Sequence, residues 1–356
     1  MIISRTPFRI SFFGGGTDYP VWYRENGGAV ISASINKYCY ITCRYLPPFF
    51  DYKYRIVYSQ REAVKSLSDI KHPSVRECLN FMNLGKGVEI HHDGDLPART
   101  GLGSSSAFTV GLLNALYALK GKMVTKKQLA LEAIHVEQER IKEHVGSQDQ
   151  TIAAFGGFNK ITFARDNNIE VQPVTLHFEK LKHLQRHLML FFTGFSRTAS
   201  EIAQEQINQT PNRTKELGNM HDMVYAAMDI LNSNHEDFSD FGKLLNESWK
   251  IKRSLTSKIS TPLIDQIYET AMWAGAKGGK ILGAGGGGFI LFFVNPEFQQ
   301  KVRLALKNLL YVPFRFDTLG SQIVYYAPDH QSWSDSSKDI LAAEEIISNE
   351  STVIEK

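Results

Sequence analysis

The stretch LPARTGLGSSSAF, Leu96 to Phe108, places two glycines, Gly101 and Gly103, ahead of three hydroxyls, Ser104, Ser105 and Ser106, and then turns apolar. Backbone at a glycine can approach whatever the loop faces, because no Cβ intervenes. The serines open a helical pattern, and the first turn of a helix offers free N–H groups and about half an elementary positive charge. Phosphate is a natural ligand of such an end, and hydroxyl oxygens can add hydrogen bonds or ligate Mg2+. A serine N-cap after a glycine turn is the plain alternative, and the stretch by itself does not separate the two.

Two more glycine-rich stretches lie far away in the chain. FFGGGTD carries Gly15, Gly16, Thr17 and Asp18, and GAGGGGF runs from Gly283 through Gly286 and Gly287 to Phe289. Neither is a standard nucleotide motif. No Gly-Lys-Ser or Gly-Lys-Thr occurs, which excludes a P-loop. Gly283, Gly285 and Gly288 match G-x-G-x-x-G, but the apolar run FILFF that follows reads as a strand where the dinucleotide fingerprint needs a helix. A glycine loop between two strands instead lets backbone crowd against a ligand or a neighbouring loop. Two acids complete the candidate set. Asp149 stands in GSQDQ, where a turn aspartate is the plain reading. Glu137 precedes it among Glu139, Arg140 and Lys142, where a solvated helix face is the plain reading.

These residues need elements to hold them. Ile2–Phe13, Ala29–Tyr45, Tyr54–Tyr58 and Gly85–His92 are rich in Ile, Val, Tyr and Phe and read as strands. Ser104 to Leu119 and about Lys126 to Glu143 read as helices, the second behind an N-cap at Thr125. Ala164–Pro173 reads as a hairpin turn and His187–Gly194 as a buried strand. Three helices follow, Thr214–Leu231, Asp240–Leu255 and Thr261–Ala274. Gly278–Val294 reads strand, glycine loop, strand, and Pro296–Leu310 as a helix. VPFRF and SQIVYYA are expected to close the sheet, and a polar tail with one amphipathic piece, DILAAEEIISN, ends the chain. Strands and helices mix without strict alternation, which predicts α+β, with a division into residues 1–175 and 176–356.

Composition narrows the function classes. With 356 residues and 43% hydrophobic content the chain can fill two cores. Lys plus Arg number 40 against 37 for Asp plus Glu, too balanced for a dedicated nucleic-acid binder. Cys39, Cys43 and Cys78 are too few and too poorly spaced for a disulfide framework or a zinc site. The N-terminus lacks the features of a secretory signal, and no run of about 18 apolar residues exists. A cytoplasmic enzyme with small-molecule partners is expected, with neither nucleic acid nor membrane, and a homodimer is compatible.

Together, in this order, TPFRISFFGGGTDY, LPARTGLGSSSAF and KILGAGGGGFILFF resemble the three motifs of the GHMP small-molecule kinases, and the match runs along nearly the whole chain. The resemblance implies an N-terminal α+β domain, a ferredoxin-like C-terminal domain and an active site in the cleft between them. It implies ATP phosphates over Gly101, Leu102, Gly103, Ser104, Ser105 and Ser106, with Mg2+ on Ser105 and Glu137. Asp149 takes the position of the catalytic aspartate and Arg9 that of a basic residue beside it. Asp18, with Gly15, Gly16 and Thr17, takes the sugar-binding position, and Gly286 and Gly287 help close the site. GGGTDY, GSQDQ and FTGFSRTAS are most similar to bacterial members that phosphorylate an anomeric hydroxyl, heptose 7-phosphate kinases first and fucokinase-like domains next. Gly15 and Gly16 depart from the galactokinase pattern, which disfavours plain galactose. A phosphorylated sugar also needs a cation at its far end, and Arg197 is the leading candidate because guanidinium grips phosphate bidentately, with Lys37 and Arg24 behind it.

Overall fold

The computed structural model describes residues 1–47, 49–194, 199–233 and 237–328. Residues 195–198 of the FTGFSRTAS motif, Arg197 among them, and the amphipathic piece of the tail lie outside the described residues.

The fold is α+β, with two sheets. Strands β1 (Ile2–Phe13), β2 (Gly28–Tyr45), β3 (Tyr54–Val57), β4 (Arg61–Val64), β5 (Val88–Gly94), β6 (Phe158–Phe163) and β7 (Ile169–Pro173) belong to the first sheet. Strands β8 (Leu188–Phe192), β9 (Ala276–Ile281), β10 (Phe289–Val294) and β11 (Leu310–Tyr311) form the second, in the order β11-β8-β10-β9. The last strand, β12 (Gln322–Tyr326), returns to the first sheet and pairs antiparallel with β1. The first sheet therefore runs β12-β1-β2-β5-β3-β4, with the β6–β7 hairpin attached to β2.

Most strands and the longer helices form where the residue pattern placed them, and three differences have physical causes. VPFRF makes only an isolated bridge, Ile35 to Phe316, because Pro313 removes a ladder donor. SQIVYYA closes the N-terminal sheet rather than the C-terminal one, so a cut at 175/176 leaves one strand of the first sheet on the far side. The helix expected over 126–143 is α-helical only over Lys126–His135 and widens to a π-turn over Val136–Arg140, where Ile141 N–H donates to the Val136 carbonyl at 2.9 Å. Such single wide turns recur at functional sites.

The helix Ser104–Leu119 is buried on nearly all sides, with Phe108, Val110, Leu112, Leu113 and Leu116 all 6% exposed or less. It packs on β1 and β2 from one face while the helix Thr214–Asn232 covers the other. That double cover explains why β1 stays buried from Thr6 to Phe13 without an exposed residue, its polar Thr6, Arg9 and Ser11 included.

The second and third glycine stretches join the lobes. A Cβ on Gly283 would lie 2.5 Å from the Gly101 Cα, and one on Gly101 would lie 2.8 Å from the Leu282 carbonyl carbon. Phe289 N–H donates to the Thr100 carbonyl at 3.1 Å. The crowding that the glycine loop permits is thus against a neighbouring loop, and that loop is the one with the three serines.

Candidate active site

A cleft of about 260 Å³ opens where the lobes meet, lined by Arg9, Ser11, Gly15, Gly16 and Asp18 from the first motif and by Gly101 and Gly103–Ser106 from the second. Asp149 enters from the first turn of the helix Gln148–Phe155. Arg9 grips it with both prongs, Nε to Oδ1 at 2.7 Å and a terminal nitrogen to Oδ2 at 2.7 Å. The other terminal nitrogen donates to the Gly101 carbonyl at 2.6 Å. One arginine on β1 thereby fixes the carboxylate against the serine loop. The pair is asymmetric: the Arg9 side chain is 5% exposed and that of Asp149 is 24% exposed. The carboxylate keeps lone pairs facing the cleft, and its cationic partner does not reach solvent. A bidentate guanidinium–carboxylate pair is among the strongest and most orienting of polar contacts.

Asp18 is buried, its Oδ1 accepting from Gly16 N–H at 2.9 Å. A Cβ on Gly146 would lie 2.6 Å from the Asp18 carboxyl carbon, so the VGSQDQ turn seats directly on this carboxylate. Burial raises the Asp18 pKa; the Gly16 N–H works against that rise and the charge of Asp149 adds to it.

The other expected residues divide. Gly15, Gly16 and Ser104 to Ser106 line the cleft. Leu102 is core at 1% exposed, and only its carbonyl contributes, accepting from Arg9 N–H at 3.0 Å. Thr17 is fully buried and is not among the residues lining the cleft; its hydroxyl bridges the Gly14 and Ala29 carbonyls at 2.8 and 2.9 Å and shapes the turn. Gly286 and Gly287 also lie off the cleft: Gly286 N–H donates to the Ile259 carbonyl at 2.9 Å, and Gly283 and Ala284 line the cleft instead.

Glu137 sits beneath the serine loop, wholly buried, accepting from Ser106 Oγ at 2.8 Å and from Gln150 Nε2. It meets Ser106 rather than the cleft-facing Ser105. Burial pushes its pKa up to about 7, with hydrogen bonds from Thr109 and Ser106 opposing the rise. A carboxyl raised from an ordinary value near 4.5 holds its proton longer in the folded chain, so its contribution to stability falls as pH rises from about 4.5 to 7 and is level above. Urea unfolding of the nucleotide-free protein at pH 5, 6, 7 and 8 checks this. The stability of wild type minus that of Glu137→Gln should fall between pH 5 and 7; a constant difference contradicts it.

Two cleft residues were not singled out from the sequence. Lys252, on the helix Ser239–Ser254, and Lys280, on β9, line the cleft at 5% and 2% exposure. A signal existed for Lys252: it continues the apolar stripe Phe241, Leu245, Trp249 at helical spacing, where a solvated lysine does not belong.

Comparison with known proteins meets this geometry. The family model described as the GHMP kinases N terminal domain matches residues 70–157, and that described as GHMP kinases C terminal matches residues 203–312. The chain belongs to the GHMP kinase family. The first model spans the serine loop, Glu137 and Asp149; the second spans Lys252, Lys280 and the glycine loop. The D-glycero-alpha-D-manno-heptose 7-phosphate kinase of Campylobacter jejuni is 28% identical over 317 residues, 86% of this chain and 93% of that one. An L-fucokinase/L-fucose-1-P guanylyltransferase of Bacteroides fragilis is 26% identical over 85% of this chain and 35% of its own length. The crystal structure of a D-glycero-D-manno-heptose 1-phosphate kinase from Bacteroides thetaiotaomicron superposes with a TM-score of 0.76 at 23% identity, covering 92% of this chain and all of that one. As a GHMP kinase the chain is an enzyme that moves a phosphoryl group from ATP to a hydroxyl, and in such transfers positioning and charge neutralisation do most of the work. In this chain the Arg9–Asp149 fork stands beside a glycine-serine helix start.

Proposed function

We propose that this GHMP kinase phosphorylates the anomeric hydroxyl of D-glycero-D-manno-heptose 7-phosphate, giving the 1,7-bisphosphate for nucleotide-activated heptose and surface polysaccharide in the cytoplasm. The observation that carries the reading is the nearly full-length match to the Campylobacter relative, combined with a buried carboxylate, Asp18, set beside the Arg9–Asp149 pair. The Bacteroides structure bears a name with the phosphate at the other position, but at its identity it speaks for the fold alone.

In this reading ATP phosphates lie over Gly101 to Ser106, on the free N–H groups of the Ser104 helix. Asp149 accepts the proton of the sugar hydroxyl as that oxygen attacks the γ-phosphorus, and Arg9 keeps the carboxylate aimed. Asp18 accepts hydrogen bonds from sugar hydroxyls. Arg197 remains the proposed grip on the 7-phosphate. The residues fit a Mg2+ that arrives with ATP: Glu137 Oε1 is buried with no hydrogen-bond partner among the described residues, and Ser105 lines the cleft. Among the described residues no cluster of three or more His, Cys, Asp or Glu could hold a metal unaided, which suits an ion that keeps water and phosphate ligands. When bound, Mg2+ neutralises charge on the β- and γ-phosphates.

The test is the product. Phosphorus NMR of a reaction with ATP and the heptose 7-phosphate should show a second ester resonance coupled to the anomeric proton. A new ester on any other carbon overturns the assignment. The match to the fucokinase domain over 85% of this chain favours L-fucose as the second acceptor to try.

A further inference from the structure

Lys252 and Lys280 are the largest unexplained expense of this cleft. An ammonium taken out of water is strongly unfavourable unless it is paired, yet among the described residues neither has a carboxylate within ion-pair distance. Lys280 Nζ reaches across the lobes to the Phe12 carbonyl at 2.8 Å. Lys252 Nζ donates to the carbonyls of Gly283 and Ile281, the latter at 3.3 Å. An ammonium has three donors, so Lys280 keeps two and Lys252 one. Gly283 is the residue pressed against Gly101, which brings the Lys252 head to the serine loop.

The charges around them do not balance. Arg9 from β1 and Asp18 from the loop after it act on both lysines, Asp149 from the Gln148 helix acts on Lys252, and Lys252 acts on Lys280. Three cations thus share two carboxylates, and Asp149 is already taken by Arg9. Burial first, and then neighbouring positive charge, depresses both lysines: Lys252 to about 8, Lys280 well below the ordinary value. Among the described residues two polar atoms in the same cleft lack partners, Ser11 Oγ and Gln148 Oε1, on residues 4% and 7% exposed. A surplus of buried basic groups with free donors, next to an unpartnered hydroxyl, is built for an anion, whose charge would favour their protonated forms.

We propose that Lys252 and Lys280 form a phosphate-binding pair on the C-terminal side of the cleft, with Ser11 as an additional hydrogen-bond donor. The phosphate has two sources in a kinase, the transferred γ-phosphoryl of ATP or an ester already on the acceptor. The pair rests on the kinase family and not on the identity of the sugar.

Calorimetric titration with Mg2+ separates the sources. Four probes are used: ADP, AMP-PNP, a free heptose and its 7-phosphate, each on wild type, Lys252→Met and Lys280→Met. The pair predicts that the advantage of AMP-PNP over ADP, or that of the ester over the free sugar, shrinks at least tenfold in both variants. The first result assigns the pair to the transferred phosphoryl, the second to the acceptor. If both advantages survive within twofold in variants with native circular dichroism, the lysines only brace the lobes and the proposal fails. If wild type binds neither sugar, the heptose reading is at fault and the nucleotide arm alone decides the pair. Should the Met variants not fold, the wild type still tests it: the same advantage should fall between pH 7 and 9.5, where the ester's own charge is constant and Lys252 loses its proton. A constant advantage overturns the pair.

Discussion

Asp149→Asn should lower kcat by about 10²–10⁴, the range expected for loss of a positioned general base, while leaving the Kd for AMP-PNP within about threefold. The split follows from the proposed roles: Asp149 is assigned to the acceptor hydroxyl, and the nucleotide phosphates are assigned to the N–H groups of the Ser104 helix. The substitution also has a structural consequence. An asparagine amide cannot accept on both sides, so one Arg9 donor loses its partner in a site where Arg9 is 4% exposed. Breaking a fully buried pair costs about 3–5 kcal/mol; the 24% exposure of Asp149 makes the loss here smaller. Steady-state kinetics, analogue titration and a urea melt on one preparation resolve the three effects. Full turnover in the variant removes Asp149 from the chemistry.

Gly101→Ala should be severely damaging for the addition of a single methyl group. Gly101 has φ of +86°, where an alanine is strained. Its added Cβ would lie 2.8 Å from the Leu282 carbonyl carbon and 3.3 Å from Gly283 N. Both obstacles are backbone of the other lobe, so relief requires the lobes to part. Strain and overpacking together suggest a loss of about 2–5 kcal/mol. Nucleotide and acceptor binding should both weaken, since the serine loop and the glycine loop move apart. Gly218→Ala is the control: nothing lies within 4 Å of its added Cβ, and in the helix Thr214–Asn232 the change should stabilise by about 0.5–1 kcal/mol. A melting temperature for Gly101→Ala equal to wild type contradicts the joined-lobe arrangement.

These two residues show what a sequence can reveal. The serine loop was legible because a helix start has local chemistry: glycine, hydroxyls and an apolar run lie together in thirteen residues. The three motifs in order were legible as a family pattern, and with them Arg9 and Asp149. The reason for the third motif was not. That Gly283 presses on Gly101 is a contact between residues far apart in the chain, and no local pattern encodes it. Lys252 and Lys280 were missed for a related reason. A lysine in GGKIL reads as solvated until the fold shows that both faces of its strand are covered, and in SWKIKRS only the apolar stripe from Phe241 to Trp249 marks Lys252 as buried. The return of β12 to the first sheet is likewise a matter of topology: its residues say strand, but not beside which neighbour.

The account stands on phosphoryl transfer to a phosphorylated sugar in this cleft. ADP release with Mg2+ and ATP across free and phosphorylated heptoses and hexoses, with mevalonate as a family outgroup, tests it most directly. The heptose 7-phosphate should give the highest kcat/KM, with the free sugars and mevalonate at least tenfold lower. Release above background on no sugar would instead describe a GHMP fold that binds its ligand without turning it over.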